Sequence, residues 1–106
     1  MNEDTLKQIG KDITALAKTL FKTNAKRAAT DGRAFLEATK AQVSIWLEQL
    51  AAGEITPKNF ESLVRGERDL ARMQALKEAG LTQVAIDTFT RGVIDIIINA
   101  ALATIP

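Results

Sequence analysis

The 106-residue chain contains no cysteine, histidine or tyrosine. Without cysteine it forms neither a disulfide nor a thiolate metal site, and without histidine it also lacks an imidazole ligand. The same absences remove the side chain that titrates near neutral pH and most nucleophiles, which excludes the usual catalytic triads. Ser44 and Ser62, the only serines, have no glycine-flanked motif around them. The sequence therefore predicts a protein that is not an enzyme and carries no cofactor or metal.

A surplus of charge and a long apolar run are also missing. Lys and Arg number 14 against 13 Asp and Glu, and the formal net charge of +1 disfavours a surface devoted wholly to nucleic acid. The longest uncharged run, Ile96 to Pro106, is about half of the ~20 residues that cross a bilayer. The first residues are acidic and do not resemble a secretory signal. We therefore expect a cytoplasmic protein.

Prolines and glycines are few, two and six respectively, and they divide the chain into segments with helical periodicity. Four helices are predicted: Glu3 to Thr30, Arg33 to Ala52, Thr56 to Ala79 and Thr82 to Ile105. The Asp-Gly pair in Thr30-Asp31-Gly32 favours a turn, but the apolar stripe continues through it, so residues 3–52 could instead form one long helix. The predicted fold is all-α, an antiparallel bundle of four helices, or of three in that second case, in a single domain over residues 1–106.

The clearest local signals lie at the ends of the last two segments. Thr56 is a natural N-cap and Pro57 suits the first helical position. Gly80 suits a left-handed helix stop, and Thr82 can cap the next helix at once. The last two helices should therefore meet at a corner of very few residues.

The last helix is too apolar for the surface of a lone small domain. One broad arc, from Ala85 to Ala101, is suited to the bundle core. On the opposite side, a polar stripe with four-residue spacing is mixed with aliphatic residues that a monomer would expose to water. We call this surface the mixed face; its members are Val84, Asp87, Arg91, Asp95, Ile98, Asn99, Leu102 and Ile105. Burial of several such aliphatic side chains, each worth about 1.5 to 3 kcal/mol, favours a partner surface, and a two-fold homo-oligomer supplies one.

Three further expectations concern this helix. Arg91 can form ion pairs with Asp87 and Asp95 along the polar stripe. As an alternative to self-association, the first helix could cover Ile98 and Leu102, and then no oligomer would be required. Because isoleucine favours strands, Val93 to Ile98 could also form a strand.

Basic residues recur along the first two segments. If these segments share one axis, the side chains fall within about a third of the helix circumference. We call this set the basic ridge; it consists of Lys7, Lys11, Lys18, Lys22, Lys26, Arg33 and Lys40. Such a ridge can attract an anionic membrane surface or phosphate, or it can simply solvate the outer face of a helix. The absence of interleaved aromatic residues makes nucleic-acid binding a weak expectation.

Two smaller features have mainly structural interpretations. Arg65, Glu67, Arg68, Asp69 and Arg72 form a mixed-sign cluster around Gly66 that is typical of a solvated helix face. It could also grip carboxylates of another helical protein. Trp46 and Phe60 have core spacing, although together they could line a ligand site.

The sequence thus predicts a helical protein that acts by binding, foremost to a second copy of itself. A dimer through the mixed face is the leading hypothesis. Peripheral membrane binding through amphipathic helices and the basic ridge is the first alternative, and weak nucleic-acid binding is the second. No motif indicates the pathway.

Overall fold

The computed structural model describes residues 1–105, so Pro106 of the predicted domain lies outside the described residues. These residues form five α-helices and one short 3-10 helix, and they contain no strand. The elements are α1 (Glu3–Leu20), α2 (Ala25–Ala51), α3 (Pro57–Gly66), the 3-10 helix (Glu67–Leu70), α4 (Gln74–Glu78) and α5 (Gln83–Leu102). The all-α class is confirmed, whereas the number of helices and the strand alternative at Val93 to Ile98 are wrong.

The first helix begins as predicted but ends ten residues early. Asn2 caps α1 by accepting a hydrogen bond from the Thr5 N–H at 2.8 Å. The helix ends at Leu20, because Phe21 adopts an extended conformation and turns its buried ring onto Phe89, with ring centroids 5.6 Å apart. Residues 21–24 then reverse the chain. This aromatic contact gives the turn a tertiary cause that local sequence signals do not contain.

The predicted turn at Thr30-Asp31-Gly32 is wrong, and so is the single helix over residues 3–52. All three residues lie inside α2. Gly32 permits close helix packing, because a Cβ there would lie 2.5 Å from Ile13 Cγ2. Asp31 is buried and accepts hydrogen bonds from the N–H groups of Ala75 and Leu76, at 3.2 and 2.9 Å. The Asp-Gly pair therefore serves tertiary contacts rather than a turn.

The third predicted helix starts correctly but is interrupted after ten residues. Thr56 and Asn59 exchange side chain to backbone hydrogen bonds, and Pro57 opens the helix. Helix α3 ends at Gly66, and the chain passes through the 3-10 helix to Met73, which is buried with a left-handed φ of 45°. The left-handed residue breaks the helix before α4, so Thr56 to Ala79 is not one helix.

The predicted corner before the last helix is confirmed. Gly80 has a φ of 81°, and the Leu81 N–H donates to the Leu76 carbonyl at 3.2 Å, as a left-handed helix stop requires. Thr82 then caps α5 by accepting from the Ala85 N–H at 3.2 Å. Only four residues separate α4 from α5.

Helix α1 packs antiparallel to both α2 and α5. The amino terminus of Met1 donates to Ser44 Oγ at 2.7 Å, which places the start of α1 beside the later part of α2. Towards its other end α1 meets the first half of α5, where Phe21 contacts Phe89 and a Cβ on Gly92 would lie 2.6 Å from Leu16 Cδ2. Phe60 is fully buried in the common core and Trp46 is partly buried against it. Both aromatic side chains thus take the core role expected of them.

Candidate functional site

A groove runs along the surface between α1 and α2. Its larger part has a volume of about 810 Å³. Lys7, Lys11 and Lys18 border it from α1, and Arg33 and Lys40 border it from α2. Because the two helices are antiparallel, residues far apart in the sequence face each other across the groove. We call this surface the α1–α2 groove.

The groove continues past the end of α1. An adjoining hollow of about 450 Å³ shares Thr14, Lys18 and Arg33 with the larger part. Lys22 and Lys26 also line this hollow, which has no carboxylate among its described lining residues. All seven members of the basic ridge therefore lie along one continuous surface.

The floor of the groove is apolar. Leu6, Gly10 and Ala15 line it from α1, and Leu36 lines it from α2. Leu6 is partly exposed, while Leu36 is buried in the core cluster. No atom lies within 4 Å of the place where a Gly10 Cβ would be, so the space above this residue is open. Charged borders thus flank an apolar strip that forms no hydrogen bonds through its side chains.

Positive charge dominates the borders. Only two carboxylates, Glu3 and Glu37, line either part of the groove. Glu37 pairs with Lys40 at 2.8 Å, and both side chains are solvent exposed, so this pair contributes little. Within residues 1–105, the other six cations of the ridge form no ion pair. Their combined field favours an anionic occupant.

The sequence found the cations of this site but for a wrong geometrical reason. The basic ridge was predicted on one shared axis, whereas the chain turns back at residues 21–24. The cations nevertheless converge, because α1 and α2 each place them on the side that faces the groove. Leu6, Gly10 and Leu36 were missed, since no local signal distinguishes a groove floor from an ordinary helix stripe before the pairing of the helices is known.

The mixed face of α5 is only partly exposed. Val84 is 75% exposed, and Asp87, Arg91, Asp95 and Asn99 are also exposed. Leu102 and Ile105 are half-buried against the core. Ile98 is only 3% exposed within the single chain. Its prediction as a surface residue is wrong, because the bundle itself covers this side chain.

The polar stripe of α5 also pairs differently from the expectation. Asp95 accepts a hydrogen bond from Arg65 of α3 at 2.8 Å, and the same guanidinium reaches Glu61 at 3.0 Å. The hydrogen bond to Asp95 and, to a smaller extent, the hydrogen bond to Glu61 raise the pKa of Arg65, so the guanidinium stays charged. Asp87 accepts from Gln83 at 2.8 Å. Among the described residues, the predicted ion pairs of Arg91 with Asp87 and Asp95 are absent.

A second polar hollow of about 560 Å³ lies between the 3-10 helix, α4 and the start of α5. Arg68, Lys77 and Arg91 line it together with Asp69 and Asp87. The near balance of charge does not select one ligand class. The α1–α2 groove, with its larger excess of cations and its apolar floor, is the better defined surface.

The fold and the groove define a small all-α protein with a basic, apolar-floored groove between two antiparallel helices. None of the helices within residues 1–105 combines the length and apolarity that a membrane crossing requires. No protein-family model, curated protein or solved structure matches this chain.

Proposed function

We propose that this chain is a non-enzymatic interaction protein that holds an acidic segment of a partner protein in the α1–α2 groove. The observation that carries this proposal is the combination of seven cations and two carboxylates along the borders with an apolar floor between them. Charged borders give orientation and speed of association, and burial of the exposed part of the floor, Leu6 and Ala15, adds affinity.

The shape of the groove favours a protein segment over a membrane surface. A bilayer presents a broad face, whereas Leu36 is only 7% exposed between charged borders, so it offers little apolar surface to an acyl region. Nucleic acid fits less well for a different reason. None of the described residues that line the groove is aromatic, so bases have no stacking platform.

The chemistry of the lining favours binding over catalysis. Its polar side chains are lysines, one arginine, two threonines and two glutamates. Within residues 1–105, the only ion pair along this lining joins Lys40 to Glu37, on the exposed border. A nucleophile would need a positioned base as its neighbour. Electrostatic attraction of an acidic segment needs only the excess of cations.

A charge-neutralising pair of substitutions tests the proposal. In a variant with Lys11→Gln and Arg33→Gln, we expect an acidic fluorescent peptide to bind at least about tenfold more weakly, which corresponds to about 1.4 kcal/mol. Glutamine is a good helix former, so both helices should persist. Fluorescence anisotropy measures the affinity, and circular dichroism checks the helical content.

The matched control removes the same charge outside the groove. Arg27 is exposed on α2 and Lys58 is exposed on α3, and neither lines the groove. In a variant with Arg27→Gln and Lys58→Gln, binding should fall much less. Equal weakening in the two variants would mean that net charge, rather than the groove, attracts the peptide, and the proposal would be wrong.

A second candidate function is self-association through the mixed face of α5. The specific observation in its favour is Val84, the most exposed large apolar side chain in the described part of the chain. Asp87 and Arg91 lie exposed on the same helix and could exchange ion pairs between two copies. The burial of Ile98 reduces the apolar area that this surface offers, so the groove replaces the mixed face as the leading candidate.

A further inference from the structure

Gly10 is the one glycine in the interior of a long helix whose small size the described part of the chain does not use. Gly32 in α2 and Gly92 in α5 each permit close packing, since an added Cβ would lie 2.5 Å from Ile13 and 2.6 Å from Leu16 respectively. At Gly10 an added Cβ would meet nothing within 4 Å. Glycine weakens a helix interior relative to alanine, so its use here suits close approach by something outside the chain.

The conformation of an occupant is constrained by the floor of the groove. An extended segment would place unpaired backbone groups against Leu6 and Leu36, which cannot donate or accept hydrogen bonds. The described residues contain no strand whose edge could pair with such a segment. A helical segment satisfies its own backbone groups and needs only side-chain complementarity.

The spacing of the cations matches a helix. On the α2 side, Lys26, Arg33 and Lys40 recur every seven residues. This interval is two helical turns, or about 10.5 Å. Carboxylates at the same interval on a helix that lies along the groove would face all three cations. From Glu3 to Lys18 the groove follows α1 for about 23 Å, which a helix of about 16 residues fills.

We propose that the occupant is an acidic amphipathic α-helix of a partner protein, which crosses α1 most closely at Gly10 and presents carboxylates at seven-residue intervals to the α2 border. This inference rests on the proposed function and adds the conformation, charge pattern and closest point of the partner. Its apolar stripe lies on the floor formed by Leu6, Gly10 and Leu36.

Two synthetic peptides of about 18 residues test the conformation. The first has a stripe of leucine and alanine flanked by glutamates at seven-residue intervals, and alanine on the opposite, solvent-facing side. The second differs only by proline in place of one solvent-facing central alanine, which prevents a continuous helix. We expect the first to gain helical circular dichroism on binding, and the second to bind at least about tenfold more weakly.

The outcomes separate this inference from the function on which it rests. Equal binding of both peptides, weakened in each case by Lys11→Gln with Arg33→Gln, would overturn the helical occupant and leave the acidic-segment function standing. Binding of neither peptide would overturn both. Binding of the first alone supports both.

A substitution at Gly10 tests the closest point directly. Leucine is a better helix former than glycine, and the space above position 10 is open, so Gly10→Leu should preserve the fold while filling the floor. We expect the helical peptide to bind at least about tenfold more weakly. Gly66 also has open space around its would-be Cβ and lies in α3, so Gly66→Leu is the control and should leave binding unchanged. Unchanged affinity in Gly10→Leu would show that no helix crosses there.

Discussion

Two glycines inside long helices, Gly10 and Gly32, have opposite roles in this chain. Gly32 lies where α2 meets Ile13 of α1, with Phe89 Cζ of α5 also 3.2 Å from its would-be Cβ. Gly10 faces open groove. Helix propensity alone makes both glycines weaken their helices, because it takes no account of which helix face has a neighbour. The role of a glycine therefore becomes visible only with the packing.

Alanine at these two positions should change stability in opposite directions. Gly10→Ala should raise the free energy of unfolding by about 1 kcal/mol, because alanine is the better helix former and nothing opposes the added methyl group. Gly32→Ala should lower it by about 1 to 2 kcal/mol, because Ile13 is fully buried and cannot yield without disturbing the core. Urea denaturation of each variant measures both changes.

Each substitution is the control for the other, since both exchange the same residues inside a long helix. Stabilisation by both would mean that α1 and α2 separate readily at Gly32, in conflict with close packing there. Destabilisation by both would mean that the space above Gly10 is not open in solution.

Local capping residues were predictable, whereas a cap supplied from a distance was not. Thr56, Thr82 and Gly80 act on backbone groups within a few residues, so their types and positions were sufficient. Asp31 acts on Ala75 and Leu76, more than forty positions away. Its local neighbour Gly32 instead suggested a turn, and that signal was overridden by tertiary contacts.

At the scale of elements, α4 is the least self-sufficient helix. It has five residues, too few to be stable alone, and it begins after the left-handed Met73 without a side-chain cap from its own N-cap residue. The carboxylate of Asp31 supplies the missing acceptors from the middle of α2. The position of α4 therefore depends on a contact between elements.

Removal of this carboxylate should loosen α4 selectively. Asp31→Ala leaves the N–H groups of Ala75 and Leu76 without their acceptor, and we expect a loss of about 1 kcal/mol, typical of a lost helix cap. Amide hydrogen exchange should quicken most in residues 75–78. Asp31→Asn keeps one acceptor oxygen, so its stability and its exchange rates should lie between those of the wild type and those of Asp31→Ala. Exchange that is equally fast along the whole chain would contradict a local role and indicate general destabilisation.

The turn that ends α1 shows why helix pairing escaped prediction. Residues 21–24 contain neither glycine nor proline, and the one local signal there is Asn24, which takes the N-cap position of α2 without a side-chain cap hydrogen bond. The cause is the burial of Phe21 against Phe89, a contact made by a helix near the other end of the sequence. The all-α class and the core roles of Phe60 and Trp46 followed from periodicity, but the order of packing did not.

At the scale of the whole molecule, the reversal at residues 21–24 determines both shape and binding surface. The longest extent of 43 Å is close to the length of α2, about 40 Å for its 27 residues. Helix α1 folds back along α2 instead of extending it. The cations that would have followed one side of a rod of about fifty residues are thereby brought to both borders of a groove.

The same packing decides how much of α5 remains for a second copy. Ile98 is buried in the core of the bundle, whereas Val84 is exposed beside the charged stripe. A charge at Ile98 would disturb folding and could not report on assembly. Val84 is the position at which a substitution acts on the surface alone.

If the mixed face forms a two-fold contact, light scattering at micromolar concentration should give a mass twice that of the 11.5 kDa chain. Val84→Glu should return the mass to that of one chain, because it places a carboxylate beside Asp87 in an apolar contact. Ile45 is also exposed, on α2 and outside the mixed face, so Ile45→Glu should leave the assembly intact. A wild-type mass of one chain would rule out this dimer, and loss of assembly in both variants would place the contact elsewhere.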